Sequence, residues 1–512
     1  MIQRYFLLIF FFISTLNINA KGQPNKLLEN IPSEGLSFLF YYDANRLLEQ
    51  EYLKNIISSD LKEIFEISKE AVVFTQEIDE YLGLTVRFKL SEGVDFNKVK
   101  EIVEGSELQV SGVKGNFIYL KEEEQKTRFG YVMKGEDYLI VKIFFLKGVI
   151  DKKLREQLIT VYDEWRFKKI AYEDYAVMKD SIYKLDEQNV IPYFDQLIAN
   201  DEKAILGNKA LKKQEGIPAD IVDMPFIMHF NEKSFYSLTT IMGYDHSLLD
   251  FIVRPRSNDF FEALEQFQKF YLYESSWFGG DFSDSKATIV SIATSKEEPK
   301  NVGVDMDLVQ YMPEKTSNFI CYGMDLEIFR DQVVDHINYY LDESISQIKF
   351  GFLMLDDDFL NFFQTGMIAI DMDPNDRNRD VKAKAAFKMP NEKKGKQLLK
   401  LLAELDNIQK IEEEKEDYLI TISSFRDTAY LVIEGDVWIF GTEPPSELRK
   451  KSKKMLKQNP ELSGKKTTLV SRLQGDIIGR DSGFGEIYSK SEFISKKTVR
   501  NIVTIEFNKE IL

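Results

Sequence analysis

Residues 31–50 read IPSEGLSFLFYYDANRLLEQ, and residues 312–331 read MPEKTSNFICYGMDLEIFRD. Laid together with Pro32 on Pro313, they stay in register without a gap at an offset of 281. Phe38 meets Phe319, Leu39 meets Ile320, Tyr41 meets Tyr322, and Leu47 and Leu48 meet Ile328 and Phe329. Each stretch is a proline, a short apolar run of strand type and then apolar residues at helical spacing. Further out, AVVFT at Ala71 matches MIAID at Met367, and VRFKL at Val86 matches AAFKM at Ala385. FIYL at Phe117 matches YLIT at Tyr418, and YVMKGEDYLIV at Tyr131 matches LVIEGDVWIFG at Leu431. KKLREQL near Lys152 then lines up with SELRKKS near Ser446. The order is kept and the offsets drift slowly, as loop insertions would make them, so the spacing predicts an internal duplication over 31–166 and 312–457.

Each copy reads as strand, two helices, strand, strand, helix, strand and hairpin, then helix. Gly135 and Gly435 sit mid-hairpin, where glycine supplies the positive φ of a tight turn. In LTVRFKL, Leu84, Val86, Phe88 and Leu90 alternate with Thr85, Arg87 and Lys89, the pattern of a strand with one wet face. The expected fold class is α+β: two tandem copies of a mainly antiparallel sheet with helices on one face. Residues 167–311 form a helical and mixed middle region, with a helix break expected at Ile191–Pro192 and strands at FIMHF and ATIVSIAT. Asp259 and Glu262 stand at capping-box spacing ahead of Phe260, Leu264, Phe267 and Tyr271 on one helical face. Residues 458–512 are a tail closing on the strand VRNIVTIEF.

The 512 residues carry 84 acidic and 67 basic side chains, a formal charge of −17. That balance argues against nucleic acid as a partner, which needs a basic footprint. One cysteine, Cys321 in the run FICY, excludes an intramolecular disulfide and reads as a buried, inert thiol. Residues 1–20 have the layout of a signal peptide: Arg4, then the apolar run Phe6 to Ile13, then a polar stretch ending at Ala20. No other apolar run approaches the ~18 residues of a spanning helix, so the mature chain is expected to be exported, to periplasm or medium, without a transmembrane segment. The absence of an Asn-x-Ser/Thr acceptor fits a bacterial envelope.

The loop DMDPNDRNRD offers the one candidate metal site. Asp371, Asp373 and Asn375 alternate as the first ligands of a calcium loop do, because hard cations take several oxygens from a tight turn. Asp376, Asn378 and Lys382 then stand where an EF-hand needs glycine, an apolar residue and a bidentate glutamate, so the plainer reading is a solvated hairpin loop. The acidic run Asp356 to Asp358 reads as a loop or helix start. Arg480, Asp481, Ser482 and Gly483 resemble a serine-protease nucleophile region, but His229, His246 and His336 lack the context of a base. Tyr271, Tyr273, Trp277 and Phe278, ahead of Gly279–Gly280, read as an aromatic helix and its exit turn packed into a core, with a glycan or peptide platform as the alternative. The run at 450–454, KKSKK, reads as the wet face of a helix. No catalytic residue or cofactor-binding motif stands out.

The leader together with the two proline-led units, IPSEGLSFLFYYDANRLL and MPEKTSNFICYGMDLEIF, resembles uncharacterised exported two-repeat proteins of Bacteroidetes. Those chains are often lipid-anchored, whereas no cysteine follows the leader here. The resemblance implies no activity and no site residues. Two functions remain as expectations: a non-enzymatic envelope protein binding an unidentified protein or ligand through its duplicated domains, or an exported hydrolase, calcium-assisted.

Overall fold

In a computed structural model, the structure describes residues 26–28, 34–43, 70–78, 81–90, 95–104, 109–121, 128–135, 138–146, 151–207, 217–231, 273–283, 285–300, 303–326, 364–372, 381–389, 408–414, 417–422, 428–464, 466–475 and 484–508, with isolated positions between them. The leader, the helices expected after Asp43 and Asp325, and the capping-box helix from Asp259 lie outside the described residues. The chain divides into two compact units, residues 1–251 with 277–279, and residues 252–276 with 280–512.

In the first unit the strands are β1 (Leu36–Asp43), β2 (Glu70–Ile78), β3 (Tyr81–Lys89), β4 (Gln109–Lys114), β5 (Phe117–Lys121), β6 (Arg128–Lys134), β7 (Tyr138–Leu146) and β8 (Phe226–Asn231). Helix α1 (Phe96–Glu104) lies between β3 and β4; α2 (Lys152–Arg166) and α3 (Tyr172–Gly207) lie between β7 and β8. Every pairing is antiparallel, and the strands stand in the order β8-β1-β2-β3-β7-β6-β5-β4. FIMHF is thus the strand that returns to the free edge of β1, pairing Leu39 with His229.

Both faces of this sheet are covered. Leu84, Val86 and Phe88 are buried as the alternation predicts, yet Thr85 on the opposite face is only 3% exposed. The Arg87 guanidinium lies 5.2 Å over the Phe74 ring and donates to the Leu27 carbonyl at 3.2 Å, so the face expected to be wet is closed. Helix α3 closes much of it. Val190, Phe194 and Ile198, one turn apart, pack against Tyr81, Phe117, Tyr131, Met133, Ile140 and Phe144. The expected break at Ile191–Pro192 does not occur, because α3 runs unbroken through Pro192 for 36 residues. Proline inside a helix costs about 3 kcal/mol through its missing N–H and ring clash. Burying three large apolar side chains beside it contributes roughly 1.5–3 kcal/mol each and outweighs that cost.

The second unit holds β10 (Lys286–Ser295), β11 (Asn318–Gly323), β12 (Thr365–Met372), β13 (Val381–Lys388), β14 (Ile408–Glu414), β15 (Asp417–Ile422), β16 (Thr428–Glu434), β17 (Val437–Gly441), β18 (Thr467–Gln474), β19 (Phe484–Phe493) and β20 (Thr498–Phe507). Strand β9 (Tyr273–Ser283) precedes them, and its middle residues 277–279 belong with the first unit. The order is β10-β20-β19-β18-β11-β12-β13-β17-β16-β15-β14, again antiparallel throughout. Short helices α4 (Met306–Val309), α5 (Pro445–Leu448) and α6 (Lys454–Gln458) and a 3-10 turn (Pro460–Ser463) place Leu308, Leu448, Met455 and Leu462 on one sheet face with Ala386, Val432 and Ile439. The neighbouring residues Phe387, Leu431 and Trp438 point the other way and are buried with Leu399. Packing on both faces replaces the expected single face in this unit too.

The hairpin glycines differ. Glu434 pairs with Val437 across a two-residue turn in which Gly435 has φ +64° and open space where a Cβ would stand. In the first unit's hairpin the Gly135 N–H donates to the Tyr138 carbonyl at 2.8 Å, and Gly135 serves a different purpose: a Cβ there would meet the Tyr138 ring at 2.5 Å. The fold class is α+β, a mostly antiparallel sheet structure with few helices. No helix among the described residues is long and apolar enough to cross a membrane. Phe194→Ala is expected to lower unfolding stability by about 3–5 kcal/mol, the cost of truncating a fully buried aromatic, read as a shift in urea midpoint; a loss under 1 kcal/mol would contradict the docking of α3.

Candidate functional site

Of the metal candidates, Asp371 is exposed near the end of β12, directly across from Lys382 on β13. A cation placed there would meet the Lys382 ammonium. Asp373 and Asn375 lie outside the described residues, as do Asp356 to Asp358 and Arg480 to Gly483. No group of three His, Cys, Asp or Glu side chains able to hold a metal occurs among the described residues. Cys321 is fully buried on β11, and burial pushes its thiol up to about 12. His229 is buried on β8 and stacks on Trp277 with ring centroids 4.2 Å apart. Tyr273, Trp277 and Phe278 are strand residues of β9, which corrects the helix-exit reading. Gly279 admits no side chain, since a Cβ would meet Met224 Sδ at 2.5 Å. Tyr271 lies outside the described residues.

Two partly buried charge clusters fix helices to sheets. In the first unit Lys142 Nζ on β7 reaches Asp201 Oδ2 on α3 at 2.5 Å, and the Tyr131 hydroxyl donates to the same oxygen at 3.2 Å. Burial, then the Asp201 charge, hold the Tyr131 phenol well above its ordinary range. Lys114 on β4 meets Glu202 at 2.9 Å. These contacts draw the C-terminal end of α3 onto the sheet alongside Phe194.

In the second unit the Tyr311 hydroxyl donates to Glu434 at 2.6 Å, and Arg449 grips Asp417 with two bonds of 3.0 and 2.5 Å. Lys451 lies 4.6 Å over the Tyr311 ring and 3.3 Å from Glu434, so part of the run at 450–454 folds back on the sheet. Residues 450–453 link α5 to α6, so the run is exposed as expected but is a connection rather than a helix face. Lys384, 4% exposed on β13, donates to the carbonyls of Glu447 and Lys450 at 3.4 and 3.3 Å. It caps the C-terminal end of α5, whose carbonyls carry partial negative charge. Desolvation lowers its ammonium to about 8.

The described residues hold one surface with the character of a docking site. Helix α2 and the first half of α3 form an antiparallel pair. At its base Asp151 caps α2 by accepting from the N–H groups of Lys153 and Leu154 at 2.9 and 3.1 Å. The Asp151 N–H in turn donates to buried Asp186 on α3 at 2.9 Å. At its tip Trp165 stacks on Tyr175 at 5.0 Å, with Tyr162 and Tyr172 edge-on or tilted around them. Lys168 takes φ +55° to end α2. Between these ties runs a groove of about 760 Å³ lined by Glu156, Thr160, Val161, Val177, Met178 and Ile182, among others. Eleven large apolar residues are exposed among the described residues, and seven belong to this arm: Ile159, Phe167, Tyr172, Val177, Met178, Tyr183 and Leu185. Scattered apolar residues need no explanation, but such a concentration marks an interaction surface. Sequence reading missed it because the same apolar spacing describes a helix face buried in a core.

No family pattern matches the chain, and no curated protein does. Two solved structures, crystal forms III and I of TP0453, are 8% and 9% identical over 56% and 54% of this chain and 84% and 81% of theirs. Their TM-scores are 0.21 and 0.20, too low to carry an argument.

Lys384 gives the clearest pH dependence. Its folded pKa, about 8, lies below the ordinary 10.5, so the unfolded chain binds more protons between those values and this group adds stability as pH rises through them. The stability of Lys384→Met relative to the natural chain is therefore expected to fall between pH 7 and pH 10 in denaturant titrations; a difference independent of pH would contradict the buried ammonium.

Proposed function

We propose that this chain is an exported, non-enzymatic binding protein of a bacterial envelope, built from two copies of one α+β module. In this reading it engages a protein partner through the helical arm of the first copy. The concentration of exposed apolar side chains on α2 and α3 carries the reading. The duplication is supported by strand order: β8-β1-β2-β3-β7-β6-β5-β4 is matched place for place by β18-β11-β12-β13-β17-β16-β15-β14. The matching eighth strand extends each copy beyond the bounds 31–166 and 312–457.

The copies differ most in the connection before that eighth strand. The first spends it on the arm; the second spends it on α5, α6 and a 3-10 turn that pack onto its own sheet. A scaffold kept in both copies, with an exposed elaboration in one, points to the elaboration as the place of specific function. Export rests on the leader pattern of residues 1–20.

A photo-crosslinking residue placed at Val177 of the full chain in living bacteria is expected to give a light-dependent adduct with a polypeptide. The same residue at Val381, exposed on β13, is expected to give none. Sequencing of the exported product is expected to begin at Lys21. Equal adducts from both positions, or a product retaining residues 1–20 inside the cell, would contradict the reading.

A further inference from the structure

We propose that a cavity at one end of the second unit's sheet binds a phosphate group carried by a small molecule. All its lining residues lie within 280–512, so the site is independent of the arm and of the reading that rests on the arm. Three observations carry it.

First, the cavity is built from backbone segments tied to one another. At the end of β19 the Phe493 N–H donates to the Lys466 carbonyl, just ahead of β18, at 2.9 Å. At the end of β10 the Ser295 N–H donates to the Lys497 carbonyl at 2.9 Å, and Lys497 Nζ reaches the Lys296 carbonyl at 2.6 Å. The Lys300 N–H donates to Asp325 Oδ2 at 2.8 Å. The enclosed volume is about 660 Å³, in the range of small-molecule sites. Walls held in place this way leave little ordering cost for a ligand to meet.

Second, the charge of the lining fits a phosphate. Lys300, Lys466 and Lys496 line the cavity with one carboxylate, Glu298, which Lys496 meets at 3.5 Å. A phosphate monoester, carrying about −1.5 to −2 at neutral pH, neutralises that positive excess. Just outside, Lys296 and Lys497 are offset by Glu297 and Asp325, so the excess stands. Lys466 is exposed, and no carboxylate among the described residues pairs with its ammonium, which is free to meet phosphate as a point charge. Ser495 Oγ accepts from the Thr498 N–H at 3.1 Å, which leaves its hydroxyl proton to donate to a phosphate oxygen.

Third, the chain leading into Lys466 is strongly basic on an acidic protein. Residues 449–466 contain eight basic side chains and one acidic, Glu461, while the whole chain carries −17. Carboxylates on neighbouring segments meet Arg449, Lys450, Lys451 and Lys454. Lys453 and Lys457 are exposed, and no carboxylate among the described residues pairs with them. A local field of this sign concentrates anions where the rest of the surface repels them. Phe493, 9% exposed, and Pro299 add apolar wall beside the ammonium groups, which favours a phosphate attached to an apolar chain over the free ion.

The test is isothermal titration calorimetry of the purified full chain at low ionic strength with two probes, inorganic phosphate and monomeric dihexanoyl phosphatidic acid. The expected result is saturable one-to-one binding of the second probe, weakened about fivefold or more by Lys466→Gln or Lys496→Gln. Glu298→Gln removes the competing carboxylate and is expected to tighten binding. Lys286→Gln removes the same charge at the far end of β10, about 30 Å away along the strand, and is expected to change nothing. All four positions are exposed, and unchanged far-ultraviolet circular dichroism would show that the variants fold. Inorganic phosphate bound as tightly as the lipid would identify the free ion as the source of the group; a lipid bound more tightly would identify a lipid headgroup. No saturable binding of either probe, or an affinity indifferent to both Lys466→Gln and Lys496→Gln, would overturn the proposal.

Discussion

The C-terminal half of α3 lies on the first sheet through Val190, Phe194 and Ile198, with Lys142 and Tyr131 converging on Asp201 just beyond them. An α-helix is stiff over tens of ångströms, and α3 is about 54 Å long. Anchoring one half of it therefore determines where the other half can go. Residues 172–185 share the helix axis but not the sheet, and α2 folds back along them because Asp186 and the Trp165–Tyr175 stack tie its two ends. The salt bridge itself is a small part of the stabilisation, since desolvating Lys142 and Asp201 offsets much of their attraction. Its effect is positional: it sets which turn of α3 sits over β6 and β7.

The second unit solves the same connection differently. After β17 the chain makes only short helical segments, and each contributes a side chain to the sheet: Leu448, Met455 and Leu462. Beside them, partly exposed polar groups tie the segments down: Arg449 to Asp417, and the Tyr311 hydroxyl to Glu434. Lys384 is the exception in kind, an ammonium held by carbonyl oxygens rather than by a carboxylate, and its lowered pKa is the consequence. Both units thus reach a sheet covered on two faces, one with a long helix that overshoots and one with short helices that do not.

Much of this was legible in the sequence. Period-two alternation marked LTVRFKL as a strand, and FIMHF, ATIVSIAT and VRNIVTIEF also read as strands, because strand signals are local. The closing pairs were not legible: Phe38 meets Phe230, and Cys321 meets Val470, across long stretches that no periodicity spans. The wet face assigned to Thr85 and Arg87 failed for a related reason. Polar residues report solvent only when nothing packs over them, and here Arg87 lies across the Phe74 ring and is held by the Leu27 carbonyl. Proline at 192 was read as a break because local propensity favours one, whereas tertiary packing decided otherwise. The equal positions of Gly135 and Gly435 hid two demands, a positive φ at Gly435 and a close approach of the Tyr138 ring at Gly135. The arm was the hardest feature to see, since Val177, Met178 and Leu185 have the spacing of core residues and only the missing third layer exposes them.

The central claim is that α3 is held on the sheet along its C-terminal half alone. Amide hydrogen exchange measured along the chain at low micromolar concentration tests this directly. Slow exchange over residues 190–201 and fast exchange over 152–185 are expected. Equal protection of both stretches in the dilute protein would contradict the claim.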